Sequence, residues 1–278
     1  MKPGTESKWS ASYRLIAAEK WKAKSASMGR AVTEALVEYS DPKPGMKALD
    51  LASGTGEPAI SLASKVGPEG HVTALDLSAE LLEIATQRAQ ARQLTNFSVR
   101  QGDAQNLPFH NHTFDLITCR FGVMFFEDSS KALAEALRVL TPGGRACLLA
   151  WGPFHQPYWS STMEIVQKYA GGPTMVPGGA DMFRFAERGS LSAALQKAGF
   201  TNIKEETKTL PWTWPGPAEE VWEYAQAVST PFRPLLDRVP QGQWDEVNAE
   251  VHQAIRQYER GGKIEFGVVV VLASGQAI

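Results

Sequence analysis

Cysteine is scarce in this sequence: Cys119 and Cys147 are the only two among 278 residues, and each lies in an apolar stretch. Two cysteines cannot form a disulfide framework or supply the thiolates of a structural zinc site. An excess of one charge is also lacking, because 28 basic and 30 acidic side chains give a formal net charge of -2. This balance argues against a protein held mainly to nucleic-acid phosphates or to an anionic membrane.

Long apolar segments are lacking as well. No uncharged apolar run approaches the ~18–20 residues that span a bilayer. Residues 1–14, MKPGTESKWSASYR, have no apolar centre that would make them a secretory signal. We therefore expect a cytoplasmic protein without membrane insertion. Hydrophobic residues form 43% of the chain and charged residues 21%, which is typical of a globular protein with a sizeable core.

Short apolar runs alternate with longer amphipathic runs between residues 46 and 150. The apolar runs predict strands over 47–52, 71–76, 96–100, 113–119 and 145–151. The amphipathic runs predict helices over 57–66, 79–92 and 129–140. Strands that alternate with helices imply an α/β fold with a doubly wound parallel sheet, whose ligand lies at the carboxyl ends of the strands.

The flanking segments predict three further parts. Residues 12–39 favour helices with a break at Gly29, so we expect a helical cap over 1–41. The second half predicts helices over 158–170, 187–198, 218–228 and 243–260, and strands over 203–210 and 264–273. We therefore expect a core formed by 42–210 and 261–278, with a helical cover inserted at 211–260.

The main functional signal is LDLASGTGEPA over residues 49–59, a strand that runs into a glycine turn and then a helix. Gly54 and Gly56 permit a tight turn and let a ligand approach the backbone closely. The spacing also satisfies a relaxed dinucleotide fingerprint, so a nicotinamide-dependent oxidoreductase is an alternative. Asp50, Asp76 and Asp103 lie on or after three successive strands. An acid after the second strand can accept hydrogen bonds from both ribose hydroxyls.

With these residues the sequence resembles the class I S-adenosylmethionine-dependent methyltransferases, in particular the small-molecule branch that includes the ubiquinone/menaquinone C-methyltransferases. The resemblance covers residues 45–150. The motifs that carry it are LDLASGTG (49–56), ALDLS (74–78), GDAQNLPF (102–109), FDLITCRFG (114–122) and RVLTPGG (138–144). It implies S-adenosyl-L-methionine as cofactor. It also implies a seven-stranded Rossmann-like sheet with an antiparallel seventh strand. The segment of ~50 residues between strands 6 and 7, where we expect the helical cover, departs from the family pattern, because a bare hairpin would not need it.

The resemblance implies a role for each residue near the turn. Asp76 would bind the ribose hydroxyls, and Leu77 would lie against the adenine. The methionyl part of the cofactor would be held by Asp50 and by the backbone of Ser53, Gly54, Thr55 and Gly56.

Roles are also implied beyond the turn. Asp103 would bond the adenine amino group, with Ala104 beside it. Arg120 and Phe121 would lie near the sulfonium and the acceptor, although a structural ion pair is the alternative for Arg120. A base is needed only if the acceptor must lose a proton. His155, just past the fifth strand, is the candidate general base.

Aromatic residues concentrate after residue 150, where six of the eight tryptophans lie: Trp151, Trp159, Trp212, Trp214, Trp222 and Trp244. Large aromatics around a concave site suit an apolar or aromatic acceptor, although they can also serve only to attach the cover. The N-terminal helices, with Tyr13, Trp21 and Met28, would close the other side.

We therefore predict an S-adenosylmethionine-dependent methyltransferase that modifies carbon or oxygen of a small, largely apolar molecule. A protein of this fold that binds the cofactor without transferring methyl is a further alternative. No grouping of residues has metal-ligand spacing, and no Asn/Asp-Pro-Pro-Tyr/Phe sequence or basic arm indicates a nucleic-acid substrate. The sequence does not fix an oligomeric state.

Overall fold

A computed structural model describes residues 20–175 and 181–278. Its strands are β1 (Lys47–Leu51), β2 (His71–Asp76), β3 (Phe97–Gln101), β4 (Phe114–Arg120), β5 (Leu140–Trp151), β6 (Thr201–Trp214), β7 (Glu259–Arg260) and β8 (Lys263–Gln276). Its α-helices are α1 (Lys22–Met28), α2 (Arg30–Ser40), α3 (Ala59–Val66), α4 (Ala79–Ala91), α5 (Ser129–Val139), α6 (Pro157–Ser160), α7 (Met163–Ala170), α8 (Ser190–Lys197), α9 (Ala218–Val228), α10 (Arg233–Leu236) and α11 (Trp244–Arg256).

The strands form one sheet in the order β3-β2-β1-β4-β5-β8-β6, with β7 paired to β8. Strands β1 to β5 are parallel, whereas β8 is antiparallel to both β5 and β6. The predicted doubly wound sheet and its antiparallel last strand are confirmed, and the two-residue β7 is an addition to the predicted seven strands. The strand order reverses between β1 and β4, and open α/β sheets bind ligands in the crevice at such a point.

Local signals explain the helix ends in this half. The hydroxyl of Ser78 accepts a hydrogen bond from the Leu81 amide at 3.2 Å, which caps the start of α4 as predicted. Helix α2 ends before Asp41, whose backbone is left-handed (φ 49°). The break at Gly29 between α1 and α2 is also found. Tyr13 lies outside the described residues.

Strands β6 and β8 form a hairpin that extends past the carboxyl edge of the sheet. Strand β5 pairs with β8 only from Val270 to Gln276, while β6 pairs with β8 as far as Ile264. At about 3.3 Å per residue, the hairpin formed by residues 264–269 and their partners on β6 extends roughly 20 Å beyond the carboxyl edge of the sheet. We call residues 211–214 and 264–269 the hairpin wall.

The prediction that the sixth strand ends at residue 210 is wrong, because β6 continues through Pro211 to Trp214. Proline lacks a donor for the ladder, and it is tolerated here because β6 is an edge strand. The expected boundary of the cover at residue 211 therefore falls inside a strand. The remaining boundaries of cap, core and cover stay a prediction.

Two predicted helices are also wrong in extent. The helix expected over 158–170 is split into α6 and α7 at Thr162, whose backbone is not helical (φ -129°, ψ -89°) and whose hydroxyl donates to the Tyr158 carbonyl at 2.7 Å. The helix expected over 243–260 ends at Arg256, because Glu259 and Arg260 pair with β8 instead.

The chain between β6 and β8 carries the cover helices, which we define as α9, α10 and α11. Trp222 of α9 donates through Nε1 to Asn248 of α11 at 2.7 Å. Helix α1 is attached to α9 by an ion pair between Lys24 and Glu220. In the part of the chain that the structure describes, no helix is long and apolar enough to cross a membrane.

Candidate active site

The glycine turn after β1 has one open side and one packed side. Gly54 has φ +55°, and a Cβ built there would meet no atom within 4 Å. Gly56 has φ +106°, and its Cβ would lie 2.7 Å from Cδ1 of Ile60. Gly56 thus allows α3 to pack closely, while Gly54 leaves its side of the turn free for a ligand.

Three acidic residues accompany this turn at the ends of adjacent strands. Asp50 lies on β1, Asp76 ends β2, and Asp103 follows β3. Asp76 accepts hydrogen bonds from the amides of Gly54 at 2.8 Å and Ser78 at 2.9 Å. Asp103 accepts from the Gln105 amide at 2.8 Å. Backbone donors therefore orient both carboxylates, whose remaining lone pairs can accept hydrogen bonds from a ligand.

Asp50 differs from the other two acids because it is fully buried. Its Oδ1 accepts from the Thr118 hydroxyl at 2.7 Å, whereas among the described residues its Oδ2 and the hydroxyl of Ser53 have no partner in hydrogen-bond geometry. Desolvation by burial raises the pKa of Asp50 to about 7, although the nearby hydroxyls of Thr118 and Ser53 and the charge of Arg120 lower it. An unpartnered buried carboxylate is stabilised by a cation placed near it.

Two residues beside these acids complete the nucleoside side. Leu77 is a large apolar side chain that is 46% exposed directly after β2, whereas Ala104 is buried. Thr55 in the turn accepts a hydrogen bond from Arg88 Nη1 at 2.6 Å. No motif of the sequence indicates a role for Arg88. Its only sequence signal is its position in the last turn of α4.

These residues fit S-adenosylmethionine. The open turn at Gly54 admits a ligand against the backbone, and the unpartnered Oδ2 of Asp50 suits the methionyl ammonium. Asp76 and Asp103 suit hydroxyl and amino donors of a nucleoside, and exposed Leu77 suits a flat ring. The structure brings these predicted residues together, while the contact assigned to each stays a prediction.

An aromatic cluster continues from this edge towards the hairpin wall. Phe121 follows β4 with a left-handed backbone (φ 56°) and stacks on Trp151 with ring centroids 4.2 Å apart. Trp212 contacts Trp151 at 5.5 Å, and Trp159 contacts it at 5.3 Å. The buried Nε1 atoms of Trp159 and Trp212 have no hydrogen-bond partner within residues 20–175 and 181–278. We define Phe121, Trp151, Tyr158, Trp159 and Trp212 as the aromatic cluster.

Arg120 lies under the N-terminal helices. Its Nη1 donates to the hydroxyl of Thr33 on α2 at 2.5 Å. No acidic side chain of residues 20–175 and 181–278 forms an ion pair with Arg120. The alternative of a structural ion pair at Arg120 is therefore not observed.

The structure does not bring His155 to the site. Its side chain is 78% exposed, and its Nδ1 lies 3.1 Å from Oε1 of Glu164. This surface position does not favour the predicted role of general base. Trp21 and Met28 are buried on the cap side, and Trp21 contacts Trp214 at 5.3 Å.

Two observations concern other kinds of site. Among the described residues, no group of three or more His, Cys, Asp and Glu side chains could hold a metal ion. A cavity of about 340 Å³ lies at the opposite, amino edge of the sheet, where Leu140, Gly199 and Ile278 line it. None of the predicted site residues lines that cavity.

Residues 25–173, just over half of the chain, match the ubiE/COQ5 methyltransferase family. The chain belongs to this family. It is therefore an S-adenosylmethionine-dependent methyltransferase, which decides against the oxidoreductase and favours methyl transfer over cofactor binding alone.

Known proteins of similar sequence agree with this assignment. The ubiquinone/menaquinone biosynthesis C-methyltransferase UbiE of Brucella abortus (strain S19) is 32% identical over 195 residues, which are 64% of this chain and 71% of that protein. The demethylmenaquinone methyltransferase of Staphylococcus carnosus is 36% identical over 177 residues, covering 60% of this chain and 73% of that one.

A solved structure shows the same fold. The phosphoethanolamine N-methyltransferase 2 of Haemonchus contortus, in complex with S-adenosyl-L-methionine, superposes with a TM-score of 0.57 at 17% identity. The superposition covers 96% of this chain and 60% of that one. At this identity the likeness concerns the fold alone.

Proposed function

We propose that this methyltransferase transfers the methyl group of S-adenosylmethionine to a carbon or oxygen atom of a small, largely apolar aromatic acceptor. The proposal depends on the aromatic cluster that continues from the cofactor edge. Phe121 stacks on Trp151, and Trp212 packs edge-on against both rings. An acceptor bound beside these rings would contact aromatic surfaces, and such surroundings suit a flat apolar molecule.

The cofactor, when bound, supplies an activated methyl group on a sulfonium, so the reaction needs alignment and exclusion of water more than acid–base catalysis. Asp76 and Asp103 would hold the nucleoside at the strand ends, and the turn at Gly54 would fix the methionyl end. The aromatic cluster would orient the acceptor and keep water away from it.

The positions of the five histidines support an acceptor that needs no strong base. His71 begins β2 and His112 lies near the amino edge of the sheet, while His252 lies on α11. His110 precedes β4, and His155 is on the surface. A phenol or an enol ionises easily and carries nucleophilic ring carbon and oxygen atoms. We therefore favour such an acceptor over a simple alcohol or an unactivated carbon.

The names of the relatives support the same acceptor class. One is a ubiquinone/menaquinone biosynthesis C-methyltransferase and the other a demethylmenaquinone methyltransferase. We propose ring-carbon methylation of a quinone precursor as a specific form of this activity. The cover helices lie outside the matched residues 25–173, so the acceptor must be tested on this chain itself.

The test measures label transferred from methyl-labelled S-adenosylmethionine to a naphthoquinol and, in parallel, to ethanolamine. We expect label in the naphthoquinol. Trp151→Leu should raise its KM at least tenfold and leave the affinity for S-adenosylhomocysteine unchanged. Trp244→Leu serves as control, because Trp244 lies on α11 outside the aromatic cluster, and it should change neither quantity. The proposal would be contradicted if ethanolamine were labelled while the naphthoquinol, and every member of a series of phenols and enols, remained unlabelled.

A further inference from the structure

Arg120 is a half-buried cation that forms no ion pair with an acidic side chain of residues 20–175 and 181–278. It is the last residue of β4, two positions after Thr118, so both side chains point to the same face of the sheet. Asp50 pairs with Thr118 in register and lies on that face as well. The only hydrogen-bond partner of the Arg120 guanidinium among the described residues is the neutral hydroxyl of Thr33.

This arrangement leaves N–H donors of the Arg120 guanidinium available to a ligand. A guanidinium offers five N–H donors in a planar fork that matches a carboxylate, and it stays protonated in proteins. Burial lowers the pKa of Arg120 from its ordinary value, although the charges of Glu57 and Asp50 oppose this effect. The Arg120 side chain is half-buried, so its charge is partly removed from water, and no acidic side chain among the described residues pairs with it.

The guanidinium and the aromatic cluster both lie close to Gly29. A Cβ on Gly29 would lie 3.4 Å from Arg120 Nη1 and 3.9 Å from Cζ3 of Trp212. Arg120 therefore lies between the face that carries Asp50 and the cluster that carries Trp212.

We propose that the Arg120 guanidinium binds an anionic oxygen of a ligand in the crevice, and that it is not a structural ion-pairing residue. Two ligands could supply this oxygen. One is the methionyl carboxylate of the cofactor, whose ammonium would then lie near Asp50. The other is a carboxylate or phenolate of the acceptor, held beside the aromatic cluster. Only this second source rests on the proposed function.

The first experiment separates the two sources by calorimetry on Arg120→Gln. Loss of at least tenfold in affinity for S-adenosylhomocysteine, with unchanged affinity for 5′-methylthioadenosine, assigns the oxygen to the cofactor, because only the former has a carboxylate. If the affinity for both nucleosides is unchanged, and the variant saturated with S-adenosylhomocysteine no longer binds benzoate, the anionic oxygen belongs to the acceptor. Benzamide is the neutral control for benzoate.

The matched control variant is Arg145→Gln. Arg145 donates to Ser274 Oγ at 3.3 Å and lies on β5 away from the crevice, and its replacement should leave all four affinities unchanged. The proposal is overturned if Arg120→Gln binds S-adenosylhomocysteine, 5′-methylthioadenosine and benzoate as the parent does. Because the nucleoside measurements need no acceptor, they stay valid even if no methyl transfer to an aromatic molecule is found.

Thermal unfolding without ligand gives an independent test. A structural ion-pairing residue stabilises the ligand-free protein, so Arg120→Met would then lower its Tm. A guanidinium whose anionic partner is a ligand does not stabilise the ligand-free protein. We therefore expect the Tm of Arg120→Met to equal or exceed that of the parent. The increase in Tm caused by S-adenosylhomocysteine or benzoate should shrink in the same variant. A ligand-free Tm several degrees below the parent, with an undiminished ligand shift, contradicts the proposal.

Discussion

The cofactor side and the proposed acceptor side of the crevice are built in different ways. On the cofactor side, Asp76 and Asp103 follow directly from their strands and are oriented by nearby backbone amides. On the acceptor side, the rings of Trp151, Trp159 and Trp212 come from β5, α6 and β6. Two of their indole N–H groups find no partner.

This difference shows which parts of a methyltransferase site are fixed by short stretches of sequence. Each contact to a nucleoside at the strand ends is provided by one strand, the turn that follows it and one acidic residue, which are adjacent in sequence. A site enclosed by aromatic rings is formed by segments that are far apart in sequence. The cofactor side should therefore respond to single polar changes, and the acceptor side to changes of ring shape and donor groups.

The largest effect is expected at Asp76. Asp76→Ala removes the acceptor for the ribose hydroxyls and leaves the Gly54 amide without its 2.8 Å bond. Charge-assisted hydrogen bonds contribute about 1.5–3 kcal/mol each. Calorimetry should show roughly a 100-fold or greater loss of affinity for S-adenosylhomocysteine. Asp76→Asn keeps the shape of the side chain and should lose less affinity for S-adenosylhomocysteine. If the affinity of Asp76→Ala were within twofold of that of the parent, Asp76 would not be the residue that binds the ribose hydroxyls.

The two glycines of the turn provide the next comparison. Gly56→Ala must push Ile60 away and accept φ +106°, and we expect it to lower the free energy of unfolding by roughly 2 kcal/mol. Gly54→Ala meets no neighbour, so its cost should be about 1 kcal/mol, whereas its methyl group enters the proposed cofactor space. Denaturant unfolding and calorimetry should thus separate a stability effect at Gly56 from a binding effect at Gly54. Equal losses of stability would contradict this reading.

A smaller effect follows from Asp50 and concerns pH. Its pKa of about 7 lies above the ordinary value of 3.8, so below pH 7 the ligand-free protein carries a proton there. A ligand ammonium beside Asp50 favours the ionised form, and binding must then release this proton. Affinity for S-adenosylhomocysteine should fall by roughly tenfold for each pH unit below 7 and level off above it.

The same pKa has a consequence for stability. Between about pH 4 and pH 7 the folded chain holds a proton that the unfolded chain has released, so the Asp50 contribution to stability decreases as pH rises through this window. Asp50→Asn should flatten both profiles. A pH-independent affinity in the parent between pH 5 and 7 would show that no cation is bound beside Asp50.

The smallest effect is expected at the hairpin wall. Trp212→Phe keeps an aromatic ring but removes a buried N–H that has no partner. Leaving a buried donor unsatisfied costs about 1–3 kcal/mol, so the gain should offset part of the lost ring contacts. We expect the free energy of unfolding to change by less than about 1 kcal/mol. A loss as large as that of a cavity-forming Trp212→Ala would indicate that the N–H is satisfied in solution.

Much of the cofactor side could be predicted from the sequence because its signals are local. The run over 71–76 is the strand β2, and Ser78 caps α4 where a serine was expected. By contrast, Pro211 led to the wrong prediction that β6 ends at residue 210. A strand tolerates proline when it lies at the edge of a sheet, and the sequence does not show which strand lies there. Arg88 and Thr33 contact the site from helices, and no nearby motif marks them. The surface position of His155 depends on the turn after β5, which its sequence does not specify.

The hairpin wall also shows which segment of this protein can be replaced by another. The cover helices leave the sheet at Trp214 and return at Ile264, two residues that face each other as paired neighbours. A segment whose ends already touch can be exchanged for one of another length without stretching the strands that flank it. Exchanging the 215–262 segment for that of a related enzyme would therefore replace the cover helices while β1 to β5 and the aromatic cluster stay in place.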